Sequence, residues 1–220
     1  HSAVVAVGSI ESLSCIYIFL LLAYYLQLQV TVSQVHSHGI DDQEQGAPNM
    51  TQVTIFGTGN MASAIASVLD KGGANVTQIS HEQASTATIE GDIVVFAVPY
   101  PAVAEIVATH SPALAGKTVV DITNPLNFET FDSLVVPAGS SAAAEIQAAL
   151  PNSAVIKAFN TNFAVTLTSG QVGETAATTV LIAGDDTAAK ATLKAAIEAG
   201  GLGAIDAGSH QRAPELEAPG

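Results

Sequence analysis

Short, almost continuous apolar runs alternate along most of the chain with segments in which apolar residues return at helical spacing. Residues 92–98 (DIVVFAV) are apolar nearly throughout, as is typical of a strand buried on both faces of a parallel sheet. Residues 61–69 instead place Met61, Ile65 and Leu69 on one side of a helix. Strands alternating with helices in this way predict an α/β fold: a Rossmann-type, doubly wound, mostly parallel sheet in a single domain.

Glycine and proline residues separate the predicted elements. Gly72-Gly73 follows the first helix, and Pro99 ends the long apolar strand. The tail contains Pro214 and Pro219, which oppose a regular helix over residues 212–220. The predicted strands are residues 53–56, 75–79, 92–98, 118–122, 154–159, 178–183 and 202–205, and the predicted helices are residues 61–69, 102–110, 141–150 and 186–199.

Residues 1–49 differ in character from the remainder of the chain. Their apolar stretch, residues 15–26, is shorter than the roughly 20 residues that a membrane-spanning helix needs. No Lys or Arg precedes Lys71, so the basic flank of a signal peptide or anchor is missing. We interpret residues 1–49 as an N-terminal extension, non-native or a linker, with a membrane anchor and a native helical extension as open alternatives. Residues 50–208 then form the Rossmann domain, and residues 209–220 form a C-terminal tail.

The charge balance excludes several classes of partner. Lys and Arg together number 6 against 20 Asp and Glu, which gives a formal net charge of -14. Nucleic acids and anionic membranes both need clustered basic residues, so we expect neither as a partner. The single cysteine, Cys15, excludes an internal disulfide, and no metal site is predicted. We expect a cytoplasmic protein that acts on a small molecule and holds any phosphate mainly with backbone N–H groups, hydroxyls and a helix end.

The segment VTIFGTGNMA, residues 53–62, reads as a strand that turns through glycines into a helix. Gly57 permits the tight turn, Gly59 lets the backbone approach a pyrophosphate, and Ala62 lets the helix pack close to the strand. The start of the helix adds unpaired N–H groups and the positive end of the helix dipole. The residues predicted to bind the cofactor here are Gly57, Thr58, Gly59, Asn60 and Met61.

In doubly wound folds the ligand lies beyond the carboxyl ends of the strands. After the second strand, Ser80 and His81 stand where an NAD-selective site usually has an acidic residue for the ribose 2′-hydroxyl, and Glu82 comes later. A hydroxyl and an imidazole can hydrogen-bond a 2′-phosphate, so this pair favours NADP over NAD. A solvated turn without a cofactor role is the open alternative.

The loops after the later strands supply the other candidates, with turn capping or ordinary packing as the alternative for each. Lys157 lies inside a predicted strand, where it is either a general acid or, more simply, a residue at an edge or rim. His210 is isolated near the end and is expected to be solvated. No catalytic residue is assigned, because no nucleophilic triad or carboxylate pair stands out. The candidates for cofactor contact are Ala97, Val98, Pro99, Tyr100, Asn124, Pro125 and Asn160.

Four motifs, taken in order, carry a family resemblance. They are IFGTGNM (residues 55–61), AVPY (97–100), VDITNPL (120–126) and KAFNT (157–161). From about Met50 to Glu217 the chain resembles the NADPH-dependent reductases of coenzyme F-420, and more closely their bacterial predicted dinucleotide-binding relatives. The resemblance implies NADP(H) at the glycine turn and at Ser80-His81, where His81 replaces the usual Arg or Lys.

The resemblance also implies an NADP-dependent oxidoreductase. It would transfer a hydride between NADPH and a flavin-like acceptor, such as coenzyme F-420 or a flavin, or a small carbonyl or imine. Such transfer needs close, dry stacking of the two rings more than an acid–base residue. A non-catalytic NADP-binding sensor or regulatory domain is the alternative. Compared with the family, residues 209–220 are expected to be a truncated tail, which leaves homodimer formation open.

Overall fold

The computed structural model describes residues 50–127, 129–130, 133–173 and 175–217. The interpretation of residues 1–49 lies outside the described residues. The strands are β1 (Gln52–Phe56), β2 (Asn75–Ile79), β3 (Ile93–Phe96), β4 (Thr118–Asp121), β5 (Ala154–Ala158), β6 (Gln171–Val172), β7 (Ala176–Ala177), β8 (Thr179–Ala183) and β9 (Gly203–Gly208). The helices are α1 (Asn60–Lys71), α2 (Tyr100–Leu114), α3 (Ala142–Ala149), α4 (Ala164–Ser169), α5 (Thr187–Ala199) and α6 (Ala213–Glu217).

Seven of the described strands form one sheet in the order β2-β1-β3-β4-β5-β8-β9. Strands β1 to β5 run parallel, β8 joins β5 antiparallel, and β9 runs parallel to β8. Strand β1 has β2 on one side and β3 on the other, so the strand order reverses at β1. In an open α/β sheet such a reversal leaves a crevice beyond the carboxyl ends of the strands. The prediction of a Rossmann-type, mostly parallel sheet is confirmed.

The sheet separates two hydrophobic cores, because neighbouring side chains along a strand point to opposite faces. On one face Ile55 and Val95 join the buried residues of α1, α4 and α5. On the other face Phe56 and Phe96 pack edge to face, with ring centroids 6.0 Å apart, among residues of α2 and α3. Helices therefore cover both faces of β1 and β3, which explains why these strands are apolar almost throughout.

Two features differ from the sequence-based expectation. Helix α4 and the β6–β7 hairpin follow β5, in a region where no element was predicted. The expectation that Pro214 opposes a helix is wrong, since Ala213–Glu217 is helical. Pro214 lies in the first turn of α6, where a backbone N–H has no partner within the helix and its loss costs nothing. No helix in the described part of the chain is long and apolar enough to cross a membrane.

Candidate dinucleotide-binding site

The glycine turn joins three strands at the point where the strand order reverses. The N–H of Gly57 donates to the carbonyl of Ile79 at 2.9 Å, and the N–H of Ala97 donates to the carbonyl of Phe56 at 2.9 Å. Gly57 has a φ of 124°, and a Cβ there would overlap the carbonyl oxygen of Ala97. Glycine is therefore required at position 57 both by the positive φ and by the close carbonyl of Ala97. This agrees with the tight turn predicted there.

Gly59 has a different reason to lack a side chain. Its φ of -75° is open to any residue, and a Cβ built there meets nothing within 4 Å. Neither backbone strain nor protein packing therefore demands glycine at this position. The free space in front of Gly59 is the kind of cradle that a close-lying ligand would fill.

The N-terminus of α1 lies directly after this cradle. Gly59 is its N-cap, no side chain among the described residues caps the helix, and its first turn contains no acidic residue. The first N–H groups of a helix have no partner within it and lie at the positive end of the dipole. The turn and the helix end together suit a phosphate or pyrophosphate.

A cavity of about 820 Å³ opens from this turn and continues past the end of β2 along α2. Its volume is within the range of roughly 300–1,000 Å³ typical of small-molecule sites. It brings together eight of the predicted cofactor residues: Gly57, Thr58, Gly59, Ser80, His81, Ala97, Val98 and Pro99. The remaining lining residues are Phe56, Ile79, Glu82, Ala84, Ser85, Ala102, Glu105, Ile106 and Thr109.

The turn after β2 is held by its own side chains. Residues His81–Gln83 form one turn of 3-10 helix, and the N–H of Ser80 donates to the side-chain oxygen of Gln83 at 3.1 Å. The hydroxyl of Ser80 donates to Oε2 of Glu82 at 2.7 Å. This hydrogen bond lowers the pKa of the Glu82 carboxyl, so that Glu82 is ionised at neutral pH. From the sequence, Ser80 and His81 are the predicted cofactor residues of this turn, and Glu82 lines the cavity beside them.

The other predicted residues lie away from this cavity. Asn60 and Met61 belong to α1 but do not line it. Tyr100 lines a separate groove between α2 and α3, beside Glu145. Burial raises the pKa of Tyr100, and the carboxylates of Glu145, Asp121 and Glu217 raise it further, so the phenol stays neutral.

Asn124, Pro125 and Asn160 are beyond β4 and β5, in loops tied to each other. The Asn160 side-chain amide donates to Oδ1 of Asn124 at 3.0 Å and to the carbonyl of Leu216 at 2.7 Å. The amide of Asn124 donates in return to the carbonyl of Asn160 at 3.2 Å. These contacts join the two loops to α6, which is the turn-capping role that the sequence left open.

Lys157 is the centre of a fully buried charge cluster. Its Nζ lies 2.8 Å from Oδ2 of Asp121 and 2.8 Å from Oε1 of Glu217, with all three side chains 0% exposed, and it also donates to the carbonyl of Thr123. The expectation of an edge or rim position for Lys157 is wrong, because β5 lies between β4 and β8. Nζ donates to Asp121 and Thr123 and is paired with Glu217, and this fully buried side chain does not line the cavity, so it is not placed to act as a general acid on a ligand there.

Asp121 and Glu217 are functional partners of Lys157 that were not predicted from the sequence. Asp121 is the register partner of Lys157 across β4 and β5. Buried charged residues need a partner of opposite charge, so an aspartate and a lysine in two buried strands could have indicated this ion pair. Glu217 accepts from the N–H of Ala142 at 2.7 Å and from the N–H of Ala143 at 3.3 Å. It therefore binds both Lys157 and the start of α3, and it fixes α6 there.

His210 is not solvated, contrary to expectation. Its side chain is 10% exposed, and Nδ1 lies 3.1 Å from Oδ2 of Asp185. The backbone N–H of His210 donates to Oδ1 of the same carboxylate at 3.0 Å. This backbone hydrogen bond is the main cause of a lowered pKa for Asp185, and it fastens the loop after β8 to the turn before α6.

The doubly wound sheet, the glycine turn and the cavity at the strand reversal define a Rossmann-type dinucleotide-binding domain. The family model described as NADP oxidoreductase, coenzyme F420-dependent, matches residues 70–125. This match supports the family predicted from the motifs and the prediction of an NAD(P)-dependent oxidoreductase. Comparison with curated proteins gave no match.

Solved structures share the fold. A protein from Arthrobacter sp. FB24, assigned as an F420-dependent NADP-reductase, is 24% identical, with a TM-score of 0.65 over 76% of this chain and 89% of its own. A hypothetical protein from Sinorhizobium meliloti, SMa0349, is 24% identical, with a TM-score of 0.62 over 75% of this chain and 89% of its own. A reductive aminase from Aspergillus terreus, solved with NADPH and ethyl levulinate, is 20% identical, with a TM-score of 0.55 over 76% of this chain and 59% of its own.

Proposed function

We propose that the chain binds NADP(H) in the cavity and transfers a hydride between it and a second small molecule. The observation that carries this proposal is a continuous cavity of about 820 Å³ that begins at the uncapped end of α1 and passes Ser80 and His81. The matched family and the NADPH bound to the Aspergillus terreus aminase support the choice of NADP(H).

The residues present fit a dinucleotide. The free N–H groups at the start of α1 and the space in front of Gly59 suit the pyrophosphate. The polar side chains of Ser80, His81 and Glu82 line the cavity at the end of β2, where the adenosine ribose would lie. Ile79, Ala84 and Ile106 add apolar surface against which a base can lie.

The bound NADPH would supply the hydride, and the chain would supply position. The loop from Ala97 to Pro99 forms the cavity wall next to the glycine turn, where its small and rigid residues would set the depth of the cofactor. Lys157 would contribute no proton, because its ammonium is fully buried between Asp121 and Glu217 and does not line the cavity. Rate acceleration would then come from orientation and exclusion of water. The proposed acceptor is a flavin-like ring such as coenzyme F-420, or a small carbonyl or imine.

Titration of the full-length protein with NADPH tests the cofactor, followed by NADPH oxidation in the presence of coenzyme F-420, FMN, or a ketone with an amine. Saturable binding with turnover of at least one acceptor supports the proposal. Absence of NADPH binding refutes it. Binding without turnover of any acceptor supports the alternative of a non-catalytic cofactor sensor.

A further inference from the structure

We infer that Glu82 sets the cofactor selectivity of this site: its carboxylate opposes a 2′-phosphate and accepts a hydrogen bond from a ribose 2′-hydroxyl. The site would therefore bind NADH as well as NADPH, with Glu82 limiting the preference for NADPH. This inference rests on the proposed function, because it concerns the dinucleotide held at the glycine turn.

The first support is the hydrogen bond between Ser80 and Glu82. Ser80 was predicted to donate to a 2′-phosphate, but its only hydroxyl proton is donated to Oε2 of Glu82 at 2.7 Å. The turn is pre-formed, since the side chain of Gln83 binds the N–H of Ser80 and the N–H of Ala84 donates to the carbonyl of His81 at 3.2 Å. A 2′-phosphate would have to redirect the hydroxyl and displace the carboxylate.

The second support is the charge of the cavity wall. Glu82 and Glu105 both line the cavity, and the described residues that line it include no Lys or Arg. His81 is the one lining residue that can become a cation. Its imidazole would thus face a carboxylate of the next residue on the same turn. A phosphate dianion would be repelled by Glu82 without a permanent positive charge to offset the repulsion.

A ribose 2′-hydroxyl, unlike a 2′-phosphate, would be bound favourably by Glu82. It can donate to the ionised Glu82, which has lone pairs beyond the one that accepts from Ser80. The hydrogen bond from Ser80 holds the carboxylate in place for this role and lowers its pKa. The same pair that hinders a 2′-phosphate therefore suits the diol of NADH.

The test measures dissociation constants for NADPH and NADH with the full-length wild type, Glu82→Gln and the control Glu90→Gln. Glu90 is exposed and outside the cavity, so its substitution changes the net charge equally without touching the site. We expect Glu82→Gln to shift the ratio of the two constants toward NADPH by roughly fivefold or more, the effect of one unit charge about 4 Å from another in water. Glu90→Gln should leave the ratio within about twofold, because bulk salt screens distant charges.

A double-mutant cycle with Ser80→Ala separates the hydrogen bond from the charge. If Glu82 acts partly by engaging the Ser80 hydroxyl, Glu82→Gln shifts the ratio less in the Ser80→Ala background than in the wild type. Binding of both dinucleotides with an unchanged ratio in Glu82→Gln, or an equal shift in Glu90→Gln, overturns the inference and leaves the proposed function standing. Failure of the wild type to bind either dinucleotide overturns both.

Discussion

At the scale of single residues, the two glycines of the turn are glycine for different reasons. Gly57 has a positive φ and no room for a Cβ, whereas Gly59 has an ordinary φ and open space. Only Gly57 is therefore needed for folding in the absence of a ligand. Substitutions at the two glycines can therefore separate a role of the turn in folding from a role in ligand binding.

We predict that Gly59→Ala leaves the melting temperature unchanged and weakens NADPH binding about tenfold or more, because the new methyl group occupies the ligand space. Gly57→Ala should instead destabilise the fold by about 1–3 kcal/mol through backbone strain. Thermal denaturation and NADPH titration of both variants check this. Normal NADPH affinity in a folded Gly59→Ala protein would show that the phosphates do not lie at this turn.

Lys157 allows a second prediction at the same scale. Lys157→Met would leave Asp121 and Glu217 buried without their cation, so we expect a loss of about 3–5 kcal/mol. Lys190→Met is the matched control, because Lys190 pairs with a half-exposed Asp206 and should lose less than about 1 kcal/mol. Urea unfolding measures both, and similar losses for the two variants would contradict a special role of the buried cluster.

At the scale of elements, the parts predicted from sequence are those whose signals are local. The apolar run of β3 and the glycine turn after β1 each fit within a few residues and have a periodicity or a conformation of their own. Helix α4 has six residues, several of them β-branched, and only Leu167 buried, so its pattern is too short to recognise. It is stabilised by packing on α1, a contact distant in sequence.

In the candidate site, too, the residues with local sequence signals could be predicted and those with only long-range contacts could not. The turn residues and Ser80, His81 and the loop from Ala97 could be placed from their positions after strands. For the pair of Lys157 and Asp121 the two buried strands offered a signal, but Glu217 could not be placed with them, because it lies in a helix at the far end of the domain. In the sequence, Pro214 is even evidence against helix α6, which contains Glu217. Long-range polar contacts need the tertiary structure, whereas turn chemistry does not.

Helix α6 yields an element-scale prediction. Glu217→Gln removes the charge that binds Lys157 and weakens the cap on Ala142 and Ala143, so α6 should undock. Hydrogen exchange at residues 142, 143, 213 and 215–217 should become faster, while β1 and β3 stay protected. Glu215→Gln, which breaks only an exposed pair with Arg212, should change exchange little. Equal exchange in the two variants would mean that α6 is held by apolar contacts alone.

At the scale of the whole molecule, the lowered pKa values of two surface aspartates contribute to acid stability. The backbone N–H of His210 lowers the pKa of Asp185, and the Lys190 side chain lowers that of Asp206. A folded-state pKa below the unfolded value stabilises the protein above the unfolded value, near 3.8, and that contribution is lost as the pH falls through the folded pKa.

We therefore predict that the free energy of unfolding is flat between about pH 5 and 7 with respect to these two groups and falls below about pH 4. Asp185→Asn should be less stable than the wild type at pH 7, and the difference should shrink toward pH 3. Urea unfolding at a series of pH values measures this. A difference between Asp185→Asn and wild type that grows on acidification would contradict the assignment.

The position of Glu217 has a consequence for how the chain matures during synthesis. Asp121 and Lys157 leave the ribosome before Glu217, so a nascent chain that paired β4 with β5 at that stage would bury Lys157 without one of its two carboxylates. Until residue 217 emerges, the N–H groups of Ala142 and Ala143 lack the carboxylate that caps them. We therefore expect the half of the sheet around β4 and β5 to complete its folding only after residue 217 has emerged, whereas the contacts of the glycine turn need no residue beyond β3.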